Sequence, residues 1–474
     1  MKIVLHGFGA YPQALRHLVE LARVQAPEIA WATILPTPHH LRLMRQVLSD
    51  DDILSLEAHQ ARRIRPLADG AALASYAGNF FADIEAEKRV FKHRPAWEQV
   101  ARAFEIYRIY KAFLGRVRPT HLLLPQIEGF EGLALIAVGR ELGAQIMVPV
   151  NGRNLGGSYF SAGAEESLPP HRSVSPELLE RARAILERFR ADGIPAAPPV
   201  PPREGDEQLA DFRRPLAARA LFFLRRSLAR PELFERDHLR AAFLNNLPAV
   251  RDAWWRRRVA IAARAFDCDR LEDLPARFIY YPLQVTPESS INTPAPYFVD
   301  QLRAIDAIRM AMPNDHLLVV KEHPAAIEVR PTAVVRALRR RAGIVVAHYR
   351  MSSRALIERA KCTISVTGTA TLEAFLLGRP SLTLGPNMIA EYLGGSCPID
   401  ALGPRLREAM ARPPGDDQIL RAIAEILSVS YDFVCFTPGM AGEPMLRRKN
   451  LENFLAALRD HAARTGAVAR NVAE

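Results

Sequence analysis

Cysteine is scarce in this chain. Its four residues, Cys268, Cys362, Cys397 and Cys435, stand far apart and never at CxxC spacing, which excludes a disulfide scaffold and argues against a cysteine-built zinc site. Long apolar runs are missing as well, and none approaches the ~20 residues that a spanning helix requires. The opening MKIVLHGFGAYPQ turns into glycine and proline after a few apolar residues, short of the roughly 7–15 of a secretory signal. Neither GxxxxGK[ST] nor HExxH occurs, so P-loop and zincin readings fail. Lysine is rare too, seven of the 63 basic residues. The expectation from these absences is a soluble protein of a reducing compartment, the cytoplasm.

What remains is ordinary globular composition. Hydrophobic residues make up 49% and charged residues 24% of 474, which disfavours disorder and leaves room for two to four domains of about 150 residues each. The 63 Lys+Arg against 52 Asp+Glu give a net charge of +11 and a pI near 9.7. Such an excess suits nucleic acid, an anionic membrane face or an anionic small substrate. An arginine bias also arises from composition alone, so charge does not choose among them. No nucleic-acid-binding module or basic motif interleaved with aromatics is present, and nucleic acid is not an expected partner.

Short apolar runs alternate with helical patterns in two halves, the signature of parallel α/β construction. In the first half strands are expected at 2–6, 29–35 and 52–56, with helices at 12–25 and within 97–117. A unit follows of strand 121–125, polar loop 126–131, helix 132–142 and strand 144–150, and glycine-rich 151–161 reads as an ordered loop. Segment 195–207 is dense in proline and charge, a surface connector, and 209–264 reads as helical. A second α/β pattern places strands at 278–283, 317–321, 344–347, 362–366 and 381–384. Its helices fall at 297–312, 332–341, 352–360 and 370–377, and the tail 444–463 reads as one amphipathic helix. The expected architecture is α/β, two doubly wound Rossmann-like domains with a helical linker region. Its parts are 1–194, a connector and linker at 195–276, 277–440, and a C-terminal helix and tail at 441–474. Ligands of such folds sit outside the C-terminal ends of the strands, so the residues that follow strands are the candidates.

The loop QVTPESS after the strand at 278–283 puts Glu288 at the cleft, with Ser289 and Ser290 as hydroxyl donors beside it and Pro287 stiffening the turn. The same residues also suit a helix-capping acid in an ordinary loop. Lys321-Glu322-His323-Pro324 ends the next strand. Lys321 and His323 there can meet a phosphate or leaving group as point charge and hydrogen-bond donor, or they form a solvated charged loop. No second His or Cys stands near His323 at metal-ligand spacing. Thr367-Gly368-Thr369-Ala370-Thr371-Leu372-Glu373 reads as strand, glycine turn and helix start, whose free N–H groups face an anion. Glu373 in the first helical turn suits a diol such as ribose, or serves the helix dipole. In the first half, His6-Gly7-Phe8-Gly9 lets backbone approach a ligand but lacks the third glycine of a dinucleotide fingerprint. Gln126, Glu128 and Glu131 follow the strand at 121–125 and face the same cleft, or serve turn chemistry.

Together, a Gln-x-x-x-acid-Ser loop, a Lys-x-His-Pro and a Thr-Gly-Thr…Glu-Ala-x-x-x-Gly-Arg-Pro stretch resemble the capsule polysaccharide synthesis family over roughly 278–385. That family includes the retaining Kdo transferases, which have the two-domain GT-B glycosyltransferase fold and use a CMP-activated acid sugar. The resemblance implies that Glu288, where aspartate is more usual, is the catalytic carboxylate, a base or nucleophile, with His323 the second catalytic residue, and that His323 and Lys321 contact the donor phosphate and sugar acid. It places Thr367, Gly368 and Thr369 at the nucleotide phosphate and Glu373 near the ribose, with Gln284, Ser289 and Ser290 also on the donor side. Gln126, Glu128 and Glu131 would then lie on the acceptor side. After Gly385 the sequence PNMIAEYLGG departs from the family's tyrosine-containing loop, which leaves the sugar open.

The implied partners are a nucleotide sugar, CMP-linked by preference, and a glycan or lipid-linked acceptor; no cofactor and no metal is implied. The alternatives are a CDP-glycerol-type glycerophosphotransferase and a non-catalytic protein of GT-B fold. A lipid-linked acceptor implies peripheral contact with the anionic inner membrane face. Arg225, Arg226 and Arg256–Arg258 would supply about 1 kcal/mol each near such a surface, unless they pair with Glu232, Glu235 and Asp252.

Overall fold

The computed structural model describes residues 1–7, 11–36, 40–56, 64–67, 70–87, 91, 94–125, 127–192, 266–286, 288–323, 326, 330, 332–434 and 446–473. The expected connector at 195–207 and linker at 209–264, with Arg225, Arg226 and Arg256–Arg258, lie outside the described residues. So do Gln126, Pro287 and Pro324.

Parallel strands covered on both faces must be apolar along their whole length, and the first sheet begins with such a run. Ile3, Val4 and Leu5 of β1 (Lys2–His6) are fully buried. Val4 lies beside Ala32 of β2 (Ala30–Leu35) on one side and Leu122 of β4 (His121–Leu123) on the other. With β3 (Ile53–Ser55), β5 (Gln145–Asn151) and β6 (Ser158–Ser161) the order is β3-β2-β1-β4-β5-β6, parallel except for β6. Helix α1 (Tyr11–Gln25) buries Leu15, Leu18, Val19 and Ala22, the i, i+3, i+4, i+7 stripe of a helix laid on a sheet. Helices α2 (Phe80–Ala86), α3 (Ala96–Val117), α4 (Gly129–Glu141) and α5 (Pro176–Asp192) complete this half.

The second sheet is wholly parallel. Strands β7 (Phe278–Pro282), β8 (Leu317–Lys321), β9 (Ile344–Ala347), β10 (Cys362–Ser365) and β11 (Ser381–Thr383) take the order β11-β10-β7-β8-β9. Its helices are α6 (Ser289–Asn292), α7 (Gln301–Ala311), α8 (Thr332–Arg339), α9 (Ser353–Arg359) and α10 (Ala370–Leu376), then α11 (Leu402–Ala411) and α12 (Asp416–Val429). Both halves are therefore doubly wound α/β units, as expected. In each the first strand is central and the strand order reverses beside it, between β1 and β4 and between β7 and β10. Those two switch points are where such folds open a crevice.

The structure differs from the sequence expectation at several places. Segment 151–161 is not a loop throughout: Gly156 and Gly157, both at positive φ, reverse the chain so that β6 pairs antiparallel with β5. Helix α4 starts at Gly129 and absorbs half of the expected polar loop. At Gly7 a Cβ would stand 2.7 Å from Leu35 Cδ2, so strand packing also draws on this glycine; Phe8 and Gly9 lie outside the described residues. Helices α2, α5, α11 and α12 fall outside every expected element.

Among the described residues the halves meet at several places, including α2 against the turn at 296–299 and the two contacts that follow. Helix α5 packs on α12, and Ala182, Leu186, Ile419 and Ile423 join one apolar core that also holds Leu372 and Phe375 of α10. After α12 the chain returns to the first half. Tyr431 bridges Ser158 at the edge of β6, with Ser158 N–H donating to Tyr431 O at 2.9 Å and Tyr431 N–H to Ser158 O at 2.7 Å. Helix α13 (Arg448–Ala473) then lies on α1, burying Leu451, Phe454, Leu455 and Leu458. Phe454 meets Phe433 edge-on at 4.9 Å and Phe160 at 5.7 Å between ring centres. Among the described residues no helix is long and apolar enough to cross a membrane. Because Phe454 is fully buried between α1 and β6, Phe454→Ala should lower the unfolding free energy by about 3–5 kcal/mol. Urea denaturation checks this; a loss below about 1 kcal/mol would mean that α13 does not complete the first half.

Candidate functional site

At the second switch point, the loops after β7 and β10 are lashed together by one side chain. Gln284 Nε2 donates to Thr367 Oγ1 at 2.8 Å, and Thr367 N–H donates back to Gln284 Oε1 at 3.2 Å. Thr367 Oγ1 in turn donates to Ser290 O at 2.6 Å. The backbone of Gln284 is fixed by a second glutamine: its N–H donates to Gln301 Oε1 and its carbonyl accepts from Gln301 Nε2, both at 2.7 Å. Gly368 N–H donates to Ser365 Oγ at 3.0 Å, and a Cβ at Gly368 would collide with that oxygen at 2.6 Å.

This corrects the sequence reading of the turn. The N–H groups of Thr367 and Gly368 were expected to face an anion, but both are engaged within the protein. Gln284 and Thr367 hold the loops in place, and Thr369, which is exposed, is the residue of this turn open to a ligand.

Beside the strap lies a charged cluster. Lys321, at the end of β8, is 6% exposed and donates to Ser353 Oγ at 2.7 Å. Burial pushes its ammonium down to about 8, against the opposing pull of Glu373. Burial likewise pushes Glu373 up to about 6, opposed first by Lys321 and then by a hydrogen bond with Thr369. His323 is held below its ordinary value, by burial first and then by the nearby Lys321 and Arg330 cations, while Glu322 opposes them. The structure therefore brings Lys321, His323, Thr369 and Glu373 together at one edge of the sheet, although they come from two separate loops.

Arg330, which no sequence pattern marked, fixes that edge from below. Its guanidinium donates to Glu322 Oε2 at 2.7 Å and Oε1 at 2.9 Å, to Gln284 O at 2.6 Å and to Thr286 Oγ1 at 3.2 Å. Both partners of the ion pair are buried. Glu322 of the charged loop thus has a structural duty, while Lys321 is buried against Ser353 Oγ and His323 is exposed.

A cleft of about 300 Å³ runs between the halves. Ser289, Ser290, Thr293 and Thr367 line it from the second half, and Pro125, Ile127, Asn151, Arg153 and Glu166 from the first. Glu288 is exposed at the N-cap of α6, near enough for its charge to act on Arg153 across the cleft. Of the expected acceptor residues, Glu128 occupies the N-cap of α4 and Glu131 its first turn; neither lines the cleft, to which their loop contributes Pro125 and Ile127. The polar side chains of the first-half wall are Asn151 at the end of β5, Arg153 and Glu166 beyond it, and Tyr11 of α1. Among the described residues no group of three or more His, Cys, Asp or Glu is placed to hold a metal ion.

No family model and no curated protein matches the chain. Solved structures do. The β-Kdo 2,7-transferase of KpsC from Thermosulfurimonas dismutans is 14% identical, with 73% of this chain and 92% of that chain covered at a TM-score of 0.35. The β-Kdo 2,4-transferase of KpsC from the same organism is 12% identical, with 65% and 87% covered at 0.29. A UDP-GlcNAc 2-epimerase from Methanocaldococcus jannaschii, in complex with UDP-GlcNAc and UDP, is 12% identical, with 90% and 99% covered at 0.24. At these identities and scores none of them bears on substrate or reaction.

Removing one partner of a buried ion pair strands the other charge, at a cost of about 3–5 kcal/mol. Arg330→Ala should therefore destabilise the protein by that amount in urea denaturation and loosen the 284–286 loop. A change below about 1 kcal/mol would remove Arg330 from its role as the anchor of the site.

Proposed function

We propose that the protein is a glycosyltransferase that uses a nucleotide sugar, with a CMP-linked acid sugar such as Kdo as the donor and a glycan or glycolipid as the acceptor. The observation that supports this most is the convergence of Lys321, His323, Thr369 and Glu373 at the switch point of the second sheet; Glu288 is exposed at the start of α6 and acts on Arg153 of the cleft wall. The choice of CMP and of Kdo rests on the resemblance of the 278–385 motifs alone. Action at the inner membrane face belongs to the same reading.

In this mechanism the donor phosphate lies against Lys321 and His323. As the glycosidic bond breaks, negative charge grows on the departing phosphate, and a cation already in place stabilises it without reorganisation. Glu373, next to Thr369, accepts hydrogen bonds from the ribose hydroxyls. Glu288, solvent-exposed at the cleft, takes the proton of the acceptor hydroxyl. Gln284, Thr367 and Gln301 keep the two loops at fixed spacing while this happens.

Three outcomes test the reading. In thermal-shift measurements CMP should raise the melting temperature more than UDP or GDP, since a ligand of the native state stabilises by mass action. Release of CMP with transfer of glycerol phosphate in place of a sugar would replace this function by that of a glycerophosphotransferase. Glu288→Gln should keep nucleotide binding and lower turnover on the order of 10²-fold or more; wild-type turnover would make the carboxylate structural.

The pH dependence follows from Lys321. Below about 8 it carries its charge, and between the value of about 6 to which Glu373 is pushed and about 8 the CMP affinity should be flat. As pH rises through that value the ammonium deprotonates and affinity should fall, by at most about tenfold per pH unit. Lys321→Arg should bind with no such fall, because guanidinium stays protonated. An identical fall in both proteins would assign it to another group.

A further inference from the structure

Among the described residues three that are not glycine have positive φ: Arg118, Arg153 and Glu166. Arg118 ends α3 as a left-handed cap, a common place for that conformation. The other two end no helix. They are paired with each other, Arg153 Nη2 donating to Glu166 Oε2 at 2.6 Å, and both line the cleft. Left-handed backbone disfavours residues with a Cβ and persists only where its surroundings over-determine it. Here they do: Arg153 N–H donates to Asn151 Oδ1 at 2.6 Å, and Tyr159 Oη donates to Glu166 O at 2.6 Å. The protein holds an arginine and a glutamate in strained backbone so that their side chains meet in the cleft wall.

We propose that Arg153 and Glu166 form the recognition wall for the acceptor, selecting an uncharged, hydroxyl-rich sugar unit. The word acceptor rests on the glycosyl-transfer reading above; the sugar recognition itself does not. The guanidinium has five N–H donors in a planar fork, and its one hydrogen bond among the described residues goes to Glu166. The remaining donors, on a side chain 23% exposed, are left to the cleft. Glu166 is 32% exposed and keeps acceptor capacity. A donor fork beside a carboxylate acceptor matches two neighbouring hydroxyls, each of which both gives and accepts.

Charge decides the class. Glu166 first, and Glu288 from across the cleft, hold Arg153 above its ordinary range. One cation between two carboxylates leaves this part of the cleft with a net charge of about −1. A carboxylated or phosphorylated unit would meet repulsion here, whereas a neutral diol would not. Ser289, Ser290 and Thr293 on the opposite wall add hydroxyl partners of the same kind.

The test uses the full chain and two sets of probes: neutral methyl hexosides and N-acetylhexosaminides, and the matching methyl uronates. Binding is measured by saturation-transfer NMR and titration calorimetry for wild type, Arg153→Lys, Arg153→Ala and Glu166→Gln. Neutral glycosides should bind wild type in preference to uronates, and each substitution should weaken them about ten- to hundredfold, the scale of a hydrogen bond to a charged group. Arg153→Lys keeps the charge without the fork, so its loss of binding is a readout that simple structural damage would not give. CMP binding is measured in parallel: unchanged CMP affinity in the variants shows that the donor side is intact. If wild type binds no CMP, the transferase reading fails and the glycoside result still stands by itself. Preference for uronates, no binding of any neutral glycoside, or unchanged neutral binding in Arg153→Lys and Glu166→Gln would each overturn the proposal.

Discussion

The candidate site depends on how one buried amide is used. Gln284 sits between β7 and β10, where the second sheet divides and the loops on either side would otherwise move apart. By giving Nε2 to Thr367 and accepting Thr367 N–H on Oε1, its amide replaces the ladder that two loops leaving a sheet no longer share. A buried amide left unpaired would be costly, so the strap is either complete or absent. Gln301 and Arg330 both hold the Gln284 backbone, and the spacing of the charged residues is inherited from that arrangement.

The charges themselves are arranged to survive burial. Lys321 and Glu373 each lose hydration, and that loss drives their ionisation shifts toward one another, while the attraction between them opposes both shifts and keeps them from going further. An ammonium is the suitable cation here because it is compact and its protonation responds to its surroundings, whereas guanidinium stays charged whatever surrounds it. The chain, otherwise rich in arginine, places lysine at the end of β8 and reserves arginine for positions with fixed forked contacts, as at Arg330 and Arg153.

The sheets were legible in the sequence because doubly covered parallel strands leave apolar runs such as KIVLH, LLVVK and IVVA. For the same reason Lys321, His323 and Glu373 could be chosen as candidates, since each follows such a run. What the strand pattern could not tell was which polar groups the protein uses internally. Thr367 and Gly368 looked like anion donors until their N–H groups found Gln284 and Ser365, contacts spanning 83 and 3 positions. Arg330 and Gln301 carry no periodic signal, being polar residues buried by tertiary contact alone. Arg153 and Glu166 depend on backbone conformation, which residue type does not reveal. Helix α12 was different: Ile419, Ala422, Ile423 and Ile426 stand at helical spacing, a signal present in the chain but unattached to any strand-end motif.

The return of α13 to α1 has a consequence for synthesis. Leu15 and Leu18 are among the first apolar residues to leave the ribosome, yet their cover includes Phe454 and Leu458, more than 400 positions later. Contacts so distant in sequence form late and fold slowly. Until they form, the first sheet offers its α1 face to other chains, the kind of exposure that makes nascent multidomain proteins prone to aggregate. The second half, whose sheet and helices are contiguous between β7 and α12, has no such wait. The order of domain completion should therefore run against the order of translation.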